Sequence, residues 1–132
     1  MHAKVTTQPD PYAPYLLSQA IRVDRLLFVS GQAGYDDSGK IVPGDFLAQG
    51  RQAFANLRRA LEAGGSGLDR VVKVTIFVTD MADFSDVVAL RREFFSDPYP
   101  ADTIAQVSAL YDPAVRIEIE AIAVAVAVAG ED

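Results

Sequence analysis

The sequence predicts an α+β fold in which two helices cover one face of a mixed sheet. Two segments of helical periodicity separate short runs rich in valine, isoleucine and phenylalanine, and the last of those runs alternates between two faces. The chain of 132 residues fits one domain, able to bury about 70% of its unfolded surface.

Taken in order, residues 1–14 hold Pro9, Pro11 and Pro14, which predict an extended segment without a helix. Residues 16–22 and 26–30 read as a hairpin that turns at Val23, Asp24 and Arg25. Between Gly31 and Gly44 the glycines, Pro43 and the polar cluster Asp36, Asp37 and Ser38 have the composition of a loop. Leu47, Phe54, Leu57 and Leu61 then recur at helical spacing, with Asp45 as N-cap and Gly64 and Gly65 as the stop.

Residues 68–79 are too dense in β-branched side chains for an amphipathic helix and read as a central strand. Its even positions Val72, Val74, Ile76 and Val78 suit the helix side, and Val71, Lys73, Thr75 and Phe77 the other. Asp83 caps a second helix whose Val87, Leu90, Arg91 and Phe94 form one stripe ending before Asp97 and Pro98. Residues 103–110 and 115–128 complete the strands, divided at Tyr111, Asp112 and Pro113. The order is β-β-α-β-α-β-β, with residues 15–129 as a single domain behind the N-terminal segment.

On the last strand Arg116, Glu118 and Glu120 share a face with Ile122, Val124, Val126 and Val128, while Val115, Ile117, Ile119 and alternate alanines from Ala121 to Ala129 make the other face apolar. The first face starts charged and becomes hydrocarbon. Two readings follow: the charged half borders a pocket or subunit contact, or Glu118 and Glu120 are solvated. Two helices leave the second sheet face bare and half apolar, which predicts self-association.

Composition narrows the function. The formal charge is −6, which repels polyanions and argues against a nucleic-acid partner. There is no cysteine, and His2, in a segment expected to fray, is the only histidine. Thiolate chemistry, a histidine triad and a histidine or thiolate metal site therefore lack raw material, so neither metal nor cofactor is expected. Lack of cysteine fits a reducing cytoplasm. No apolar run reaches the ~18 residues of a membrane span. Arg58, Arg59, Arg91 and Arg92 read as solvated helix faces, and Phe94 and Phe95 as core and rim packing.

Four segments resemble one family: SQA at 18–20 followed by LLFVSGQ at 26–32, QAFANL at 52–57, VVKVTIFVTDMADF at 71–84, and RIEIEAIAV at 116–124. They are similar, in order and spacing, to the RidA/YjgF family of reactive intermediate deaminases, once labelled L-PSP endoribonucleases. The resemblance implies a chorismate-mutase-like fold and a homotrimer whose sheets line a barrel, with three clefts between subunits. It also implies hydrolysis of enamines or imines such as 2-aminoacrylate to a keto acid and ammonia.

On that resemblance Glu118 matches the glutamate that orients or activates water, and Gly31 the glycine whose backbone lies against the ligand. The family's PAR motif, whose arginine clamps the substrate carboxylate, is matched by Pro100, Ala101 and Asp102. The clamp is absent. A tyrosine common before the SQA segment is replaced by Leu17, with Tyr15 nearby, and Val88 stands in place of an asparagine. Tyr15, Leu17, Thr103 and Ile104 complete the expected ligand-binding set.

Two functions are carried forward. One is an enzyme that hydrolyses or isomerises a small enamine, imine or related C–N compound other than a simple 2-imino acid, with Glu118 as base and Asp102 as a second carboxylate in the same cleft. In that reading Asp102 either faces the cleft or turns away as a surface acid. The other is a non-catalytic ligand-binding or protein-interaction module on the same trimer scaffold.

Overall fold

The computed structural model describes residues 1–127. Eight regular elements follow in the order β1 (His2–Val5), β2 (Ala20–Val23), β3 (Leu26–Gln32), α1 (Phe46–Ala63), β4 (Val71–Val78), α2 (Phe84–Phe94), β5 (Ala101–Gln106) and β6 (Ile117–Val124). The strands form one sheet in the order β1-β2-β3-β6-β4-β5, antiparallel except for the β4–β5 pair. The predicted order is present with one strand added in front: His2 pairs with Val23 on β2 instead of fraying.

Both helix ends of α1 follow from sequence. The Asp45 side chain accepts from the Ala48 N–H at 2.9 Å, and Gly65 adopts φ 79°, a left-handed conformation that other residues enter only with strain. Phe54, Leu57 and Leu61 on its inner face are fully buried against β3 and β6, each contributing about 1.5–3 kcal/mol of apolar burial. The Phe54 ring stacks on Phe94 at 4.7 Å and meets Phe95 edge-on at 5.4 Å, which locks α1 to the end of α2.

The hairpin and the late strands are shorter than the sequence suggests. Residues 16–19 are not strand. Ala13–Tyr15 is a single 3-10 turn and Leu16 sits at φ 63°, so β2 starts only at Ala20. Residues 68–70 form another 3-10 turn before β4. β5 spans Ala101–Gln106 instead of 103–110, and β6 ends at Val124. Val128 and Ala129, assigned to that strand, lie outside the described residues.

Val72 is the clearest misassignment. The register slips between Val71 and Lys73, so Val71 faces the helices at 6% exposure and Val72 is 47% exposed. A bulge inserts one residue and resets the alternation, after which Val74, Ile76 and Val78 are buried as expected. Asp83 precedes α2 but gives no side-chain cap; it pairs with Arg116 at 3.1 Å. That pairing, with the Arg116 guanidinium over the Phe46 ring, takes Arg116 away from the face it was expected to share with Glu118.

From β6 onward the alternation is as the sequence predicts. Ile117, Ile119, Ala121 and Ala123 are buried under the helices, and Glu118, Glu120, Ile122 and Val124 lie on the opposite face with Phe28 and Phe77. Among the described residues no helix covers that face.

Candidate functional site

The site begins with a bulge in β3. Val29 pairs with Ala121 and Gln32 with Ile119, so β3 spends one residue more than β6 across Ser30 and Gly31. Ser30 is held outward by its neighbours: its N–H donates to the Gln19 carbonyl at 2.9 Å and its hydroxyl to the Ser18 carbonyl at 2.6 Å. Gly31 is left facing Glu118. A Cβ on Gly31 would lie 2.7 Å from Glu118 Cδ and 2.9 Å from Cγ, so the glutamate crosses the strand only because glycine is there.

Two buried amides of α1 fix the strands that carry this pair. Gln49 donates to the Ala114 carbonyl at 3.0 Å and accepts from the Arg116 N–H at 2.6 Å, which sets where β6 begins. Asn56 donates to the carbonyls of Ala33 and Tyr35 at 2.8 and 2.9 Å, which anchors the chain leaving β3. Both amides are satisfied, as burial demands.

Around Glu118 gather aromatic hydroxyls. The Tyr12 hydroxyl donates to the Gly31 carbonyl, and its ring meets Tyr35 edge-on at 6.0 Å. Tyr35 donates to Gln32 Oε1 at 2.6 Å. Burial, followed by the charge of Glu120, raises the Glu118 pKa above the usual carboxylate value. Burial and then the neighbouring Glu118 charge push the Tyr111 phenol up to about 12, and burial, Tyr35 and Glu118 raise Tyr12 as well. At neutral pH both phenols keep their protons beside the carboxylate. A half-buried carboxylate of raised pKa is suited to take a proton from water and return it to a leaving group.

The expected site residues divide between two places. Gly31 and Glu118 come together. Tyr15, 76% exposed, stands close enough to Tyr111 to raise its pKa, and Leu17 is exposed just before the Ser18 carbonyl that holds Ser30. The other three lie on β5. Thr103 accepts from Lys73 Nζ at 2.8 Å on the open sheet face, and Ile104 packs against the core on the helix side.

Asp102 does not share a face with Glu118. It pairs in register with buried Val74 on the helix side, whereas Glu118 pairs with Phe77 on the open side. Nor is it a free carboxylate. Arg91 of α2 forks onto it, Nε to Oδ2 at 2.8 Å and Nη2 to Oδ1 at 2.9 Å, with both side chains about four-fifths buried. Arg91 is thus a paired group and not the solvated helix residue the sequence suggested. The pair borders a groove of about 460 Å³ whose other walls include Val88, Arg92, Phe95, Tyr99 and Pro100.

Tyr12 and Tyr111 were not foreseen as part of the site. Tyr12 lies in the proline-rich segment and Tyr111 in a turn, and neither has a periodic pattern to point it anywhere. Among the described residues no cluster of His, Cys, Asp or Glu could hold a metal ion. No helix among them is long and apolar enough to cross a membrane.

Comparison with known proteins decides the ancestry of this arrangement. The Endoribonuclease L-PSP family profile matches residues 5–125. The chain belongs to the RidA/YjgF family. It is 42% identical to a mouse 2-iminobutanoate/2-iminopropanoate deaminase over 120 residues, covering 90% of this chain and 87% of that one. A RutC family protein of Pyrococcus horikoshii is 43% identical over 116 residues, 87% of this chain and 90% of its own. The fold superposes on RidA from a Psychrobacter species with TM-score 0.86, 35% identity and coverage of 92% and 98%. Against a Thermotoga maritima putative endoribonuclease the TM-score is 0.88, with 41% identity and coverage of 94% and 98%. Imine hydrolysis is accordingly a family-level property of the RidA/YjgF relatives of this chain.

Proposed function

We propose that the protein is a homotrimeric hydrolase that removes ammonia from a small enamine or imine other than a simple 2-imino acid, at clefts between subunits. The single observation that carries the chemistry is the Gly31–Glu118 contact: a bulged glycine lets a carboxylate of raised pKa cross the strand. Glu118 accepts a proton from water as the oxygen attacks the imine carbon. Returned to the nitrogen, that proton gives a carbinolamine; Glu118 then takes the carbinolamine hydroxyl proton and passes it to the nitrogen as the C–N bond breaks, so that carbonyl and ammonia are the products.

Assembly is part of this reading. The Glu118 corner and the Asp102 groove lie on opposite faces of one sheet, so a single chain cannot present both to one ligand. A second copy can bring its groove to the first copy's glutamate. The uncovered face with Phe28, Phe77, Ile122 and Val124 supplies the apolar surface for such contact.

The choice against simple 2-imino acids rests on position 102. A carboxylate-binding arginine would be a charge-assisted donor worth about 1.5–3 kcal/mol, and here a carboxylate with both oxygens occupied stands in that place. Ammonia release from 2-aminoacrylate and from an uncharged enamine, measured side by side with an arginine-bearing relative, tests the reading. Turnover is expected on the uncharged compound, with 2-aminoacrylate at least about a hundredfold below the relative. Relative-like rates on 2-aminoacrylate would overturn the substrate class. No ammonia from either compound would favour the binding-module alternative.

A further inference from the structure

We propose that the α2–β5 groove is an anion subsite in which Arg92 and the outer edge of Arg91 recognise a carboxylate remote from the reacting C–N bond. Asp102 acts there as a positioning residue. The inference rests on the function proposed above and names the substrate class of the same cleft: an enamine or imine with an apolar body and a distal acid.

Asp102 uses both oxygens on Nε and Nη2 of Arg91, which leaves Nη1 unused by that pair in a side chain that lines the groove. The Arg91 guanidinium also lies 5.8 Å from the Phe84 ring centre, so two contacts fix its plane. Arg92 is exposed on the same groove and makes no ion pair among the described residues. Two guanidinium groups against one carboxylate leave the groove cationic in a protein whose net charge is −6.

Place and size set the ligand. The cation reaching the groove comes from α2, beyond Asp102 as seen from the strand, so the anion it binds sits farther from β5 than a side chain at 102 would hold it. A space of about 460 Å³ is more than a three-carbon imino acid fills. Val88, Tyr99 and Pro100 supply an apolar wall for the body between acid and C–N bond.

The test measures binding without turnover, on the full chain. 3-Phenylpropionate, 3-phenylpropan-1-ol and propionate are titrated while backbone amide NMR shifts are followed. The acid is expected to bind at least about tenfold more tightly than the alcohol and than propionate, with shifts centred on residues 88–102. Arg92→Gln, an exposed substitution with no ion pair to break, is expected to remove about tenfold of that affinity and to leave the alcohol unaffected. Equal binding of acid and alcohol, shifts elsewhere, no binding at millimolar acid, or an unchanged Arg92→Gln titration would each overturn the subsite. Intact acid binding without ammonia release would fault only the hydrolase reading, and ammonia release without acid binding only this one.

Discussion

Gly31→Ala isolates the contact on which the site depends. The backbone at Gly31 is not left-handed, so alanine fits its conformation and the added methyl acts by bulk alone. The new Cβ would stand 2.7 Å from Glu118 Cδ, against the 3.5–4.0 Å of an ordinary carbon contact. The carboxylate must retreat by about 1 Å. Displacement of that size in a reacting group costs on the order of a hundredfold in rate. Since the half-buried glutamate tip can swing aside, the stability cost falls at the low end of the overpacking range, about 1 kcal/mol. Ammonia release and thermal melting on the same preparation separate the two effects. Turnover within about threefold of wild type would refute the claim that Gly31 places Glu118.

Two further outcomes are expected. The folded chain holds the Glu118 proton to higher pH than the unfolded chain, so this group's contribution is full below about 4.5 and is lost as pH rises through the raised value. Glu118→Gln should therefore melt above wild type at pH 7 and converge with it near pH 4; a variant that melts lower at pH 7 would contradict the desolvation assigned to this carboxylate. Light scattering at micromolar concentration should give three times the chain mass of 14.2 kDa, and a monomer would remove the inter-subunit cleft.

What the sequence carried well were features written into local periodicity. Asp45 caps α1 because a short acid precedes a helical stripe. Glu118 and Ile119 face opposite ways because a regular strand alternates. Where the backbone departs from regularity the pattern fails. The bulge at Val72 reverses one side chain, and the left-handed Leu16 delays β2 by four residues. β1 is only four residues on an exposed edge, too short a run to be told from the proline-rich segment after it, and is held by pairing to β2.

The site was legible in the same uneven way. Gly31 and Glu118 were named from family motifs and lie in contact, but their partner Tyr12 arrives from 19 residues before Gly31 through tertiary packing alone. Asp102 reads from sequence as a cleft carboxylate or a surface acid, and its pairing escapes that reading because Arg91 belongs to a different element. Eleven residues and a turn from α2 into β5 separate them in sequence, and a bidentate pair joins them in space.

The most direct test of the account compares Glu118→Gln with Glu120→Gln in ammonia release from an uncharged enamine. Both remove one negative charge from β6, but only Glu118 lies against Gly31, while Glu120 is exposed. The account predicts a loss of about two to four orders of magnitude in turnover for Glu118→Gln, the usual share of general acid–base catalysis, and near-wild-type turnover for Glu120→Gln. Equal effects of the two, or none from Glu118→Gln, would contradict it.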